Sequence, residues 1–130
     1  MKRLSCIIFD LDGTLTRTNE LIYATFNHVA DKYMHTVFTP GEIVRMFGPP
    51  EEVAVERLVG PDNLDGAMDE FYEFYETHHP QMATVYEGIH DMLDFLKARG
   101  LLLAIFTGKG KRTALITLEQ FGITSYFDIV

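Results

Sequence analysis

Two carboxylates stand one residue apart in Phe9-Asp10-Leu11-Asp12-Gly13-Thr14, where an apolar run gives out into a glycine. An extended chain alternates its side chains, so Asp10 and Asp12 point to one side and Leu11 to the other. Gly13 then lets the chain turn sharply. Carboxylate and carbonyl oxygens suit a hard divalent cation such as Mg²⁺. A carboxylate is also an established covalent nucleophile, and a second carboxyl beside it can move a proton, an effect worth ~10²–10⁴-fold in rate. The plainer reading of the same residues is a polar turn after a strand, with either Asp capping the next segment. An EF-hand fits less well, because the oxygen ligands and terminal Glu of that loop are missing.

A second cluster repeats the logic. The apolar run 101–106 ends in Thr107, Gly108 and Lys109, which are a hydroxyl, a small residue and a cation. Glycine lets backbone N–H groups approach an anion closely. Lys109, Lys111 and Arg112 fall where a helix should start, and positive charge there opposes the helix dipole unless an anion is near. Solvated surface charge is the competing reading, above all for Lys111 and Arg112.

Both clusters need strands to carry them. The runs 4–9 and 101–106 are short and continuously apolar, the pattern of buried strands in a parallel sheet, and parallel sheets bind ligands beyond their strand ends. Helical spacing of Leu21, Ile22, Phe26, Val29, Ala30 and Tyr33 predicts a helix over 19–33. Thr39-Pro40-Gly41-Glu42 reads as a helix start with a capping box. Gly48-Pro49-Pro50 breaks the chain before helices over 51–58 and 64–78. In the second of these, Phe71, Tyr72, Phe74 and Tyr75 read as core and groove aromatics. An apolar stripe of Ile89, Met92, Leu93 and Leu96 predicts a helix over 89–99 closed by Gly100. A further helix over 111–121 and a third strand over 126–130 complete the pattern. No internal repeat or low-complexity segment interrupts it.

Composition narrows the class. The chain has 130 residues, 47% of them hydrophobic, one cysteine (Cys6) and a formal net charge of -8. No apolar stretch approaches the ~20 residues of a membrane helix, and a lone Cys6 cannot form an internal disulfide, so a cytoplasmic protein without membrane partners is expected. Residues 48–79 hold nine acidic residues against one basic, Arg57, while the flanking parts balance at five of each. Such a surface excludes nucleic acid as a partner, since binding it depends on Lys and Arg neutralising phosphates. A solvated helix face explains the acidity better than an acidic docking surface.

Asp10-Leu11-Asp12-Gly13-Thr14-Leu15-Thr16 resembles the first motif of the haloacid-dehalogenase-like hydrolases, and the wider chain resembles their phosphoglycolate-phosphatase-like branch. Thr107-Gly108-Lys109 is similar to the second motif of that family. The resemblance implies an α/β fold: a Rossmann-like parallel core, here with about three strands, from residues 1–16 and 84–130, and an inserted helical cap over 17–83. It also implies that Asp10 attacks phosphorus to form an aspartyl-phosphate, while Asp12 protonates the leaving oxygen and later activates water. Mg²⁺ would sit on the Asp10 carboxylate and the Asp12 main-chain carbonyl. Thr107, Gly108 and Lys109 would hold the phosphoryl group, and Arg45, with the Gly48-Pro49-Pro50 break, would lie on a substrate-specificity loop.

Further expectations follow from the same resemblance. The family's later motifs, a lysine and a pair of acidic residues, would fall beyond Val130, so the 130 residues by themselves are expected to be inactive or feeble. The first strand, central in that family, would become an edge and promote self-association. Asp12 argues against C–halogen cleavage, and Lys32, the one lysine of the predicted cap, has no motif to make it a Schiff base. The expected activity is Mg²⁺-dependent hydrolysis of a small phosphorylated metabolite. A sugar phosphomutase or a non-catalytic phosphate-binding fragment is the alternative.

Overall fold

The computed structural model describes residues 3–130. The described residues form four strands: β1 (Cys6–Phe9), β2 (Thr16–Arg17), β3 (Thr84–Val85) and β4 (Leu102–Ile105). β1 and β4 pair in parallel, with Cys6 opposite Leu102 and Phe9 opposite Ile105, so the two candidate motifs leave the sheet side by side. β2 and β3 pair antiparallel at the two points where the chain enters and leaves a long helical insertion. This two-residue ribbon was not expected; elements so short carry no readable period.

The insertion consists of α1 (Asn19–Met34), α2 (Pro40–Val44), α3 (Glu51–Val59) and α4 (Leu64–Met82). α2 begins as predicted: the Thr39 hydroxyl accepts from the Glu42 N–H at 3.2 Å while the Glu42 side chain turns back to the Thr39 backbone. The helices close around Leu21, Phe26, Val29, Ile43, Val55, Phe71 and Tyr75. Phe26 meets Phe71 edge to face with ring centres 5.2 Å apart. A second apolar cluster lies against the sheet, where Leu11, Leu15 and Leu103 pack with Leu93 of α5 (Ile89–Ala98) and Leu118 of α6 (Lys111–Gln120). Phe121, just past α6, touches both clusters.

Two strand expectations are corrected. The run 4–9 is not buried: β1 starts at Cys6, and Leu4 and Ile8 face solvent. Among the described residues β1 pairs with β4 alone, which leaves it at the edge of the sheet. The third strand shrinks to one bridge between Ala104 and Ile129, preceded by a single 3₁₀ turn at Thr124–Tyr126. The Asp128 side chain takes over part of the ladder's work. Its Oδ2 accepts from the Leu103 N–H at 2.9 Å and from Lys97 Nζ at 3.0 Å, and the backbone bond and Lys97 hold its carboxyl below the usual carboxylate range.

Candidate active site

Beyond the end of β1 the chain folds into a tight loop around one acceptor. The Leu11 carbonyl receives the N–H groups of Thr14, Leu15 and Thr16 at 3.0–3.2 Å. Gly13 takes a left-handed φ of 80° that a side chain would strain. Leu11 and Leu15 anchor this loop in the sheet's apolar cluster, which leaves Asp10 and Asp12 at the mouth of a cleft of about 270 Å³. The Asp10 carboxylate accepts from the Leu11 N–H at 2.7 Å. The Asp12 carboxylate accepts from the Thr18 hydroxyl, so the first residues of the insertion help to fix it.

The end of β4 supplies the facing wall. Thr107, Gly108 and Lys109 line the same cleft, with the Lys109 N–H donating to Thr107 Oγ1 at 3.1 Å. The Lys109 side chain is only 4% exposed, and its Nζ lies 3.4 Å from Asp12 Oδ2 and 4.0 Å from Glu51 Oε1. It also stands 4.7 Å from the centre of the Tyr75 ring. Burial would lower the Lys109 pKa, but Tyr75, Asp12 and Glu51 around it raise it above the ordinary lysine value, so the ammonium stays charged.

The helices form the roof. Ile22 and Phe26 of α1, Met46 and Phe47 after α2, Ala54 of α3 and Phe71 of α4 give the cleft an apolar wall. Three polar contacts bridge from the insertion to α6. Glu51, first residue of α3, accepts from Thr113 Oγ1 at 2.6 Å, and the Tyr75 hydroxyl bonds Thr117 Oγ1 at 2.6 Å. Thr117 is shared with His79 Nε2 at 3.1 Å, while His79 Nδ1 is buried without a partner. Burial, with the nearby Lys109 charge, pushes the His79 pKa down to about 4, so the ring is neutral.

Five of the residues singled out from the sequence therefore meet at one place: Asp10, Asp12, Thr107, Gly108 and Lys109. Arg45 does not join them. It is exposed at the end of α2, and Met46, Phe47, Gly48 and Pro49 turn into the cleft instead. Lys111 and Arg112 also stay outside, Arg112 lying 4.3 Å over the Tyr72 ring. Glu51 and Tyr75 were missed as site residues. Glu51 follows the Gly48-Pro49-Pro50 break directly, and that position was its one signal.

Comparison with known proteins agrees with this geometry, since residues 7–130 match the model of the haloacid dehalogenase-like hydrolases. The chain belongs to this family. It is 35% identical over 129 residues to pyrophosphatase PpaX of Bacillus velezensis, covering 99% of this chain and 59% of the relative. The corresponding protein of Halalkalibacterium halodurans is 32% identical over 127 residues, 98% of this chain and 59% of its own length. The chain thus spans about 59% of these curated relatives. Two solved structures share the haloacid dehalogenase-like fold. CbbY from Rhodobacter sphaeroides, in complex with phosphate, superposes with a TM-score of 0.82 at 20% identity over 98% of this chain and 62% of its own. A predicted phosphoglycolate phosphatase from Haemophilus somnus gives 0.81 at 21%, over 99% and 62%. No helix among the described residues is long and apolar enough to cross a membrane.

Proposed function

We propose that the chain carries the phosphoryl-transfer centre of a Mg²⁺-dependent phosphomonoester hydrolase of cytoplasmic metabolites. The observation that carries this reading is the convergence of Asp10, Asp12, Thr107 and Lys109 on one cleft from two adjacent parallel strands. Asp10 is the nucleophile. Its carboxylate oxygen forms the bond to phosphorus as the ester oxygen leaves with its electron pair and takes a proton from Asp12. In the second half, Asp12 removes a proton from water, whose oxygen displaces the Asp10 carboxylate and releases inorganic phosphate. The Thr107 hydroxyl and the buried Lys109 ammonium hold the phosphoryl oxygens and offset their charge. The helical insertion acts as a cap that excludes water during transfer.

The oxygen chemistry of the first motif fits Mg²⁺. Asp10, through its carboxylate, and Asp12, through its main-chain carbonyl, would hold the ion, and when bound it draws charge from the transferring phosphoryl group. The donor set is small, for among the described residues no three His, Cys, Asp or Glu side chains gather as a metal cluster. That favours one second reading, a phosphate-binding unit without turnover.

Phosphate release from small phosphomonoesters in the presence of Mg²⁺ separates the two. Release by the 130-residue chain that Asp10→Asn abolishes supports the hydrolase. Phosphate binding by the chain, seen as a rise in Tm, with no release from any ester even when the chain is extended by the family's later motifs supports the binding unit.

A further inference from the structure

The carboxylates around Lys109 attract its ammonium without aiming it. Asp12 Oδ2 lies 3.4 Å from Nζ and Glu51 Oε1 4.0 Å, both beyond the about 2.7–3.2 Å of a hydrogen bond. Asp12 also accepts from Thr18, and in the reading above its main-chain carbonyl serves Mg²⁺. A lysine stem is flexible, so a side chain that is not ordered beforehand loses rotamer freedom when it closes on a ligand.

Tyr75 is the third contact and differs in kind. The centre of its ring stands 4.7 Å from Lys109 Nζ, within the ~6 Å over which an aromatic face attracts a cation. The face of a ring attracts the charge without a lone pair, so the three donors of the ammonium stay available to phosphoryl oxygens. It is not an oxygen ligand either, and Mg²⁺ does not compete for it.

The ring itself is fixed. Tyr75 is fully buried, its hydroxyl bonds Thr117 Oγ1 at 2.6 Å, and the His79 ring meets it edge-on with centres 5.6 Å apart. Thr117 belongs to α6, which starts two residues after Lys109. Tyr75 belongs to α4 of the insertion, whereas Lys109 follows β4 of the sheet. The insertion thus reaches the phosphate-binding lysine with a rigid surface.

We propose that Tyr75 is the positioning residue of Lys109: its ring carries the ammonium at the phosphoryl site, and its hydroxyl, tied to Thr117, keeps the ring in place. The inference rests on the reading in which Lys109 holds phosphoryl oxygens. It gives the helical insertion a share in building the phosphate site, beyond covering it.

Two measurements on the 130-residue chain test it: the NMR signal of the Lys109 ε-methylene, assigned by its loss in Lys109→Met, and titration of inorganic phosphate in the presence of Mg²⁺. In the unmodified chain the ring current of Tyr75 is expected to move that signal upfield of lysines in water. Tyr75→Phe, which keeps the ring, should hold it there. Tyr75→Leu should return it to the position of lysines in water and weaken phosphate binding about fivefold, ~1 kcal/mol. A Lys109 signal already at that position in the unmodified chain overturns the proposal without any variant. Weaker phosphate binding by Tyr75→Leu with the signal unmoved makes Tyr75 a packing residue and overturns it too, as does wild-type affinity in a folded Tyr75→Leu chain. Should Tyr75→Leu fail to fold, Thr117→Val decides, since it keeps the volume and removes the hydroxyl that anchors the ring. A smaller upfield shift with about twofold weaker phosphate binding is then expected, and no change in either overturns the proposal. In all these cases phosphate binding by the unmodified chain leaves the underlying reading standing. Failure of phosphate to bind, both to this chain and to one extended by the family's later motifs, overturns the two together.

Discussion

Lys109 shows how much one buried side chain can organise. Its ammonium is the shared partner of Asp12 and Glu51, which come from opposite walls of the cleft. Lys109→Met keeps the apolar stem and removes the charge, so both carboxylates lose their partner in a poorly hydrated place. The expected loss of stability is about 1–3 kcal/mol by urea denaturation, together with weaker binding of inorganic phosphate. His79 supplies a second prediction. Its folded pKa of about 4 lies below the ~6.5 of an unfolded histidine. Between those values the unfolded chain binds a proton that the folded chain refuses. Stability therefore falls as pH drops from about 6.5 to 4, by up to ~1.4 kcal/mol per pH unit from this residue. The faces around the ring carry Lys109, Asp12 and Tyr75. His79→Phe should flatten the fall in urea midpoint over that window, and an unchanged slope would assign the acid sensitivity to the carboxylates. At this scale the motifs were legible in the sequence, because Asp10, Asp12 and Thr107 have polar types where an apolar strand ends. Glu51, Tyr75 and His79 were not, since their role depends on which helix packs over which strand end.

Elements were legible in proportion to their length and their end signals. The helices of the insertion lie where spacing and caps predict them, and the Thr39–Glu42 capping box forms as read. The strands β2 and β3 are too short for any period to show, and the expected third strand fails because the Asp128 side chain and one bridge at Ile129 replace the ladder. The contact between α3 and α6 is the element-scale feature most open to test. Gly110, the residue before α6, faces the Glu51 carboxylate so closely that any Cβ would displace it. Gly110→Ala should therefore push Glu51 off Thr113 without touching Asp10 or Asp12. The expected result is a lower Tm, from loss of the Glu51–Thr113 hydrogen bond. Retention of the wild-type Tm would mean that the Glu51 side chain swings clear at no cost, an outcome its flexibility permits only if the bond to Thr113 is weak.

Among the described residues the outer side of β1 in the β1–β4 sheet is an unpaired border. β1 pairs with β4 on one side only among the described residues, and Leu4 and Ile8 beside that border are 75% and 66% exposed. Phe106, which follows β4, is 81% exposed on the same small sheet. An apolar edge strand offers free N–H and C=O groups in a row and is a template for another strand. The 130-residue chain is therefore expected to self-associate through β1, with a second copy completing the ladder. Light scattering over a range of concentrations should show the apparent mass rising above that of a single chain. Ile8→Lys places a charge on the edge, the device by which natural sheets discourage such pairing, and should return the mass to that of one chain while leaving the cleft intact. A concentration-independent single-chain mass for the unmodified protein would refute edge pairing. Association that survives Ile8→Lys would move the contact from β1 to another face. The acidic helices of residues 48–79 offer no better surface for it, because their charges repel between copies.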